Sequence, residues 1–244
     1  PREPGEALLA RLRSEPSRGE GGEPAAEQGA QGCAAAPKRT LGIAVRDWQD
    51  RYDFKRIVAV VADRLVREGW EVVLVPFHYP VDLRACQDVS LLMQEPNLLV
   101  REKLPVETLF SLMGQFDVVL GMRLHALVMA CVMRTPCVGI SYDPKVDRFL
   151  ETCGQPVAGS VESLDAERLY REIVRAWERR QEIASHLDQV LIGLRQRAWE
   201  TASLTLSLFY SRFPHRRAKD GYAVRRGWSG FFGGRSRKKN GAAK

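Results

Sequence analysis

Asp117–Lys145, DVVLGMRLHALVMACVMRTPCVGISYDPK, is the stretch from which the rest of the chain can be read. It divides into an apolar run from Asp117 to Leu120, a turn, a short apolar helix, and a second apolar run from Val138 to Ser141. Two short buried strands joined through a helix must lie parallel, because a parallel pair needs a crossover connection. The first turn carries Gly121, Arg123 and His125; the second carries Ser141, Tyr142, Asp143 and Lys145. In a parallel sheet both turns sit at the carboxyl ends of neighbouring strands, where open α/β sheets bind ligands. Two cations and an imidazole then face one crevice, a setting for an anion whose chemistry needs a proton.

On the amino-terminal side of this stretch the same alternation continues. Leu41 to Val45 reads as a short strand that ends in Arg46, Asp47 and Trp48. Phe54, Ile57, Val58, Val61, Leu65 and Val66 recur at helical spacing, and Gly69 closes that helix. A strand from Glu71 to Phe77, a helix from about Asp82 to Met93 and a strand from Leu98 to Val100 follow. Pro105 then opens a helix to Gln115, as proline does at a first helical position. On the carboxyl side come a helix from Val146 to Cys153, stopped by Gly154, and a last strand over Gln155 to Ala158. From about Asp165 to Tyr210 the pattern is helical, with a bend expected at Gly193. The expected fold is α/β: a Rossmann-like parallel sheet with helices on both faces and a long closing helix.

The net charge of +7 over 244 residues is unevenly placed. From Ser211 onward there are eleven Lys or Arg against one acid, Asp220, so the basicity belongs to a tail and the preceding body is slightly acidic. This argues against a nucleic-acid-binding core and for an arm drawn to anionic surfaces. Tyr222, Trp228, Phe231 and Phe232 between the basic residues suit a membrane interface. Residues 14–38, rich in Gly, Glu, Ala and Pro, read as a disordered linker after a short helix around Ala7 to Leu12. The expected division is therefore a linker or domain remnant over 1–39, a catalytic domain over 40–210 and a basic, disordered tail over 211–244. Since the chain opens on Pro1, it is expected to be a fragment with something missing in front. No run approaches the ~18 apolar residues of a membrane span. The five cysteines (Cys33, Cys86, Cys131, Cys137, Cys153) have no C-x-x-C pair and sit mostly on apolar faces, which points to buried, reduced thiols and a cytoplasmic setting.

Each candidate site residue also has an ordinary reading. His125 in the first turn of an apolar helix can be structural, Arg123 can pair with an acid on a neighbouring helix, and Lys145 and Arg46 can be surface cations. Their joint position, all after strands on one edge of the sheet, favours anion binding, with helix N-termini adding donors. Three other features carry less. The glycines at 230–234 lack a strand–helix context, and His186 has no ligand partner at a metal spacing. Asp143, Asp147 and Glu151 read as a solvated helix face. No metal motif is present in the sequence.

The segment VVLGMRLHALVMACVMRTPCVGISYDPKVDRFL, with GIAVRDW at 42–48 and Val-Pro-Phe followed by Asp82, resembles the signature region of the polysaccharide pyruvyl transferase family. The nearest likeness is to bacterial members that modify secondary cell-wall polymer and so anchor S-layer proteins. It covers about residues 40–205 and corresponds to the carboxyl-terminal half of a GT-B-type architecture. The resemblance implies transfer of the enolpyruvyl carbons of phosphoenolpyruvate onto two hydroxyls of one sugar as a cyclic ketal, with phosphate released and no cofactor. It implies His125 as general acid and Arg123 and Lys145 as holders of donor phosphate or carboxylate. Arg46 is then a secondary anion contact, and Gly121, Leu124, Ser141 and Tyr142 line the substrate. The implied acceptor is an N-acetylhexosamine, such as N-acetylmannosamine, on a lipid-linked cell-wall intermediate at the inner face of the membrane, with peripheral contact through the tail and no nucleic acid. Two other readings stay open: a GT-B glycosyltransferase with a nucleotide-sugar donor, and a non-catalytic half-protein that binds anions or membranes.

Overall fold

The computed structural model describes residues 3–14 and 39–213. The expected linker, nearly all of the basic tail, Cys33 and the 230–234 glycines lie outside the described residues. Alternation of strand and helix runs through the rest. The strands are β1 (Arg39–Ala44), β2 (Trp70–Leu74), β3 (Leu98–Leu99), β4 (Val118–Gly121), β5 (Cys137–Ser141) and β6 (Val157–Ser160). The helices are α1 (Glu3–Ser14), α2 (Asp53–Arg67), α3 (Val81–Leu92), α4 (Val106–Met113), α5 (Leu124–Val132), α6 (Pro144–Thr152), α7 (Ala166–Glu178) and α8 (Arg180–Arg212).

All strand pairs are parallel, in the order β3-β2-β1-β4-β5-β6. The first three strands therefore spread one way from β1 and the last three the other way. The topological switch point falls between β1 and β4, the place where sheets of this kind open a crevice at the carboxyl edge. Period-two alternation sends Leu41, Ile43, Val72, Leu74, Val118, Leu120, Val138 and Ile140 to one face, where they pack with α2, α3 and α7. The opposite face carries several glycines because its helices come close. A β-carbon on Gly42 would lie 2.3 Å from the Phe116 ring, and one on Gly139 would lie 2.1 Å from Leu150. Those glycines let the second helical layer seat directly on the strands.

Local sequence explains most boundaries. In α2 the apolar positions Phe54, Val58, Val61 and Leu65 form the buried stripe, and Gly69 takes the left-handed φ of +88° that ends it. Pro105, expected as the first helical residue, instead occupies the extended cap position before α4. The long helical pattern resolves into α7 and α8, parted at Arg179, and Gly193 lies within α8. The Ala7–Leu12 helix is longer than expected and integral to the sheet unit. Leu8, Leu9 and Leu12 are buried, α1 packs on α4, and Gly5 N–H donates to Ser111 Oγ at 2.8 Å.

The chain divides into two compact units, Pro1–Leu191 and Ile192–Lys244. The first contains the sheet, α1 to α7 and the start of α8, whose Leu187 and Leu191 are buried. The second, among the described residues, is the remainder of α8 and Phe213, with the Phe209 ring against Tyr210 and Phe213. No helix among the described residues is long and apolar enough to cross a membrane.

Candidate active site at the carboxyl edge of the sheet

Three adjacent strands, β1, β4 and β5, end together. Their register sets Ala44 beside Gly121 and Gly121 beside Gly139, so the floor of the rim is built from small residues. The chain leaves this floor through three loops that carry the polar groups. From β1 come Arg46, Asp47 and Trp48; from β4, Arg123 and then α5; from β5, Tyr142, Asp143 and then α6.

The β1 and β5 loops meet across the end of β4. The rings of Trp48 and Tyr142 lie 4.7 Å apart, tilted by 54°. The Arg46 guanidinium stands 5.4 Å from the Trp48 ring and 5.1 Å from the Tyr142 ring, and its Nε donates to the Asp47 carbonyl at 3.1 Å. Lys145 Nζ lies 5.7 Å from the same Tyr142 ring. One aromatic pair thus gathers two cations from two loops, through the attraction between a cation and a ring face.

Behind this group sits Lys55, on the buried face of α2. Its ammonium bonds Asp47 and Asp88. Burial alone would lower its pKa, but the two carboxylates outweigh that and hold it above the usual lysine value. Lys55 thereby anchors the loop that carries Arg46.

Arg123, the residue before α5, reaches across β1 to the first turn of α3. It makes a two-pronged ion pair with Asp82 through Nε and Nη2. Asp82 has no exposed surface and also accepts from His78 N–H at 2.8 Å. The ordinary reading of Arg123 as partner of an acid on a neighbouring helix is therefore correct. A side-on pair uses two of the five guanidinium donors, so three remain for a ligand.

His125 lies in the first turn of α5, exposed, with no hydrogen bond or ion pair among the described residues. Leu124 beside it is half-buried at the helix start. Lys145 is not in a loop but within the first turn of α6, where its N–H and ammonium both bind the cap residue Asp143. Those two bonds, the N–H first, hold the Asp143 carboxyl below the usual carboxylate range. Ser141 Oγ donates to Asp147 at 2.8 Å, so Asp143 and Asp147 shape the rim and are not a free acidic face.

The structure thus brings Arg46, Tyr142 and Lys145 together, ties Arg123 to Asp82, and places Gly121 in the floor. Among these cations Arg46 is the one with no carboxylate partner among the described residues. The Arg46 guanidinium stands against rings, whereas Lys145 and Arg123 each face a carboxylate. Trp48, Lys55 and Asp82 were in plain view in the sequence without assigned roles. The signal for Lys55 was a single charge at the head of the otherwise apolar stripe Val58, Ala62 and Leu65.

Among the described residues, no cysteine belongs to this group of polar side chains. Cys86, Cys131, Cys137 and Cys153 are free and buried. The Cys86 thiol is pushed up to about 12 by burial and by the nearby Asp82 charge. Cys131 and Cys153 are raised too, first by thiol–thiol hydrogen bonding. Thiols held protonated at neutral pH are poor nucleophiles.

Among solved structures, the chain is similar to a glycotransferase of kitacinnamycin (14% identity, TM-score 0.49), over 73% of this chain and 47% of that one. It is also similar to the C-terminal CMP-Kdo binding domain of WaaA from Acinetobacter baumannii (14% identity, TM-score 0.44), over 63% of this chain and 89% of that one. A third likeness is to the glycosyltransferase SnogD from Streptomyces nogalater (20% identity, TM-score 0.39), over 77% of this chain and 50% of that one. The chain spans about half the length of the first of these. Likenesses this distant say nothing about its chemistry. No curated protein matches the sequence. A profile of the polysaccharide pyruvyl transferase family matches residues 15–144. The matched segment covers just over half of the chain and includes β1 to β5, Arg46, Asp82, Arg123, His125 and Tyr142, while Lys145 lies one residue beyond it. The chain belongs to the polysaccharide pyruvyl transferase family.

Proposed function

We propose that this chain carries the donor site of a pyruvyl transferase that uses phosphoenolpyruvate and places a cyclic pyruvate ketal on a cell-wall saccharide. The observation that carries the reading is the convergence at the switch point. Arg46 stands against two touching rings, Lys145 shares one of those rings, Arg123 keeps donors to spare, and an exposed imidazole stands on the adjacent helix turn. A donor with one carboxylate and one phosphate needs such a set of separated cations, and guanidinium forks bind both groups bidentately. The N-terminus of α5 adds backbone donors directed at the same rim.

In the proposed reaction His125 protonates the donor methylene, which becomes a methyl group and leaves an oxocarbenium-like carbon. One sugar hydroxyl bonds to that carbon, and the carbon–oxygen bond to phosphate breaks. A second hydroxyl of the same sugar closes the ketal. Of the two hydroxyl protons, one restores His125 and the other leaves with phosphate. The acceptor is an N-acetylhexosamine such as N-acetylmannosamine on a lipid-linked intermediate of secondary cell-wall polymer, the substrate of S-layer anchoring, at the cytoplasmic face of the membrane. Within this reading the chain supplies the carboxyl-terminal half of a GT-B-like enzyme, with no cofactor.

The test is acceptor-dependent phosphate release from phosphoenolpyruvate by the folded protein and its His125→Ala variant. Loss of proton transfer is expected to lower turnover roughly 10²–10⁴-fold, with the circular dichroism unchanged. Undiminished turnover in the variant removes His125 from the role. Calorimetry that shows binding of a nucleotide sugar and none of phosphoenolpyruvate overturns the donor assignment.

A further inference from the structure

The second unit carries a surface that the proposed chemistry does not use. Between Glu200 and Arg212, α8 reads TASLTLSLFYS, with no charged side chain. Ile192, Leu204 and Leu208 are 63%, 66% and 72% exposed, and Phe209 is exposed as well. Exposed apolar residues of this size in one segment mark a surface that another phase covers.

Three of the six hydroxyls within the segment bond back to their own helix. Thr201 Oγ1 donates to the Arg197 carbonyl at 3.0 Å, Thr205 Oγ1 to the Thr201 carbonyl at 2.8 Å, and Ser211 Oγ to the Leu208 carbonyl at 2.8 Å. A hydroxyl that bonds back to its own helix has little further need of solvent. The apolar side chains also do not form one seam. Leu204 and Leu208 share one side, while Phe209, stacked near Phe213, lies about 140° round the helix from Leu204 at 100° per residue. A partner helix takes a single stripe repeating every 3.5 residues. A fluid apolar medium accepts residues on several sides.

The charge next to this segment names the medium. From Ser211 to the end of the sequence there are eleven Lys or Arg and one acid, with four aromatic residues after Phe213. Eleven uncharged helical residues measure about 16 Å, half of a ~30 Å hydrocarbon layer, so the segment enters one leaflet and does not span.

We infer that the end of α8 is a contact for an anionic membrane, in which Leu204, Leu208 and Phe209 enter the headgroup–acyl boundary, the basic composition of the sequence that follows being the reason for the preference for anionic lipid. The contact stands apart from the donor chemistry, and its test reads no phosphate release.

The test is flotation of the full chain with vesicles of phosphatidylcholine alone and of phosphatidylcholine with about 30% phosphatidylglycerol, comparing wild type with a Leu204→Glu, Leu208→Glu double variant. Wild type is expected to float with the anionic vesicles and to be released by salt. The double variant, with unchanged helical signal, is expected to bind at least about tenfold less. Equal flotation of the two proteins overturns the inference, as does wild-type binding that ignores lipid charge. Wild type that stays off both vesicles overturns it as well, and a dimer abolished by the double variant would then assign the face to a second copy of the chain.

Discussion

Asp82 shows how much of this site is held by groups that touch no ligand. It is fully buried, accepts from the His78 N–H, and takes the side-on fork of Arg123. Removing its charge leaves a guanidinium facing an apolar interior, the situation in which breaking one partner of a buried pair costs about 3–5 kcal/mol. Asp82→Asn is therefore expected to lower unfolding stability by roughly that amount in urea titrations. A loss well under 1 kcal/mol would show that Arg123 finds water or another acid, and that the pair is not the clamp described here. Arg123, His125 and Lys145 were legible in the sequence as two cations and an imidazole after strand ends, because strand ends follow from apolar runs. What they touch was not legible. The ion pair to Asp82 depends on which strand lies beside β4, and the Trp48–Tyr142 contact depends on two loops reaching over β4 from either side.

At the scale of the element, α6 illustrates a helix start with a chemical signature. Asp143 caps it, Pro144 fills the first position, and Lys145 donates its N–H back to the Asp143 carboxylate at 2.9 Å. The carboxyl is held below its ordinary 3.8, so the folded state favours the ionised form. The sign follows directly. The cap contributes fully above the unfolded value of 3.8 and is lost as pH falls through the depressed folded value. Thermal unfolding of wild type and Asp143→Ala is therefore expected to differ clearly at pH 7 and to converge as the solution is acidified below that range. A gap that stays constant to low pH would mean that the cap acts without its charge. On sequence alone this helix starts at Val146, so the cap at Asp143 came only with the structure. The parting of α7 from α8 at Arg179 was not legible in the sequence, since helical spacing continues across it and propensity is a weak guide to a single break.

At the scale of the whole molecule, the first unit is a doubly wound sheet closed on its second face by a helix from the start of the chain. Leu9 of α1 is 4% exposed, and a β-carbon on Gly5 would come within 2.6 Å of the α4 backbone. Leu9→Ala is expected to cost about 2–5 kcal/mol, the range for truncating a buried leucine, measured by urea unfolding of the full chain. A negligible change would mean that α1 is dispensable to the unit. By itself the sequence determined the alternation of strands and helices, the parallel sheet, the edge that bears the cations and the uneven charge of the chain. All of these follow from local periodicity, turn residues and composition, which need no partner elsewhere in the molecule. Only the tertiary structure decided the strand order, the switch point between β1 and β4, the seat of α1, and the choice of Arg46 as the cation left with its charge unpaired. Each of these is a matter of which distant residues become neighbours, and in a parallel sheet the crossover helices separate in sequence the strands that pair in space.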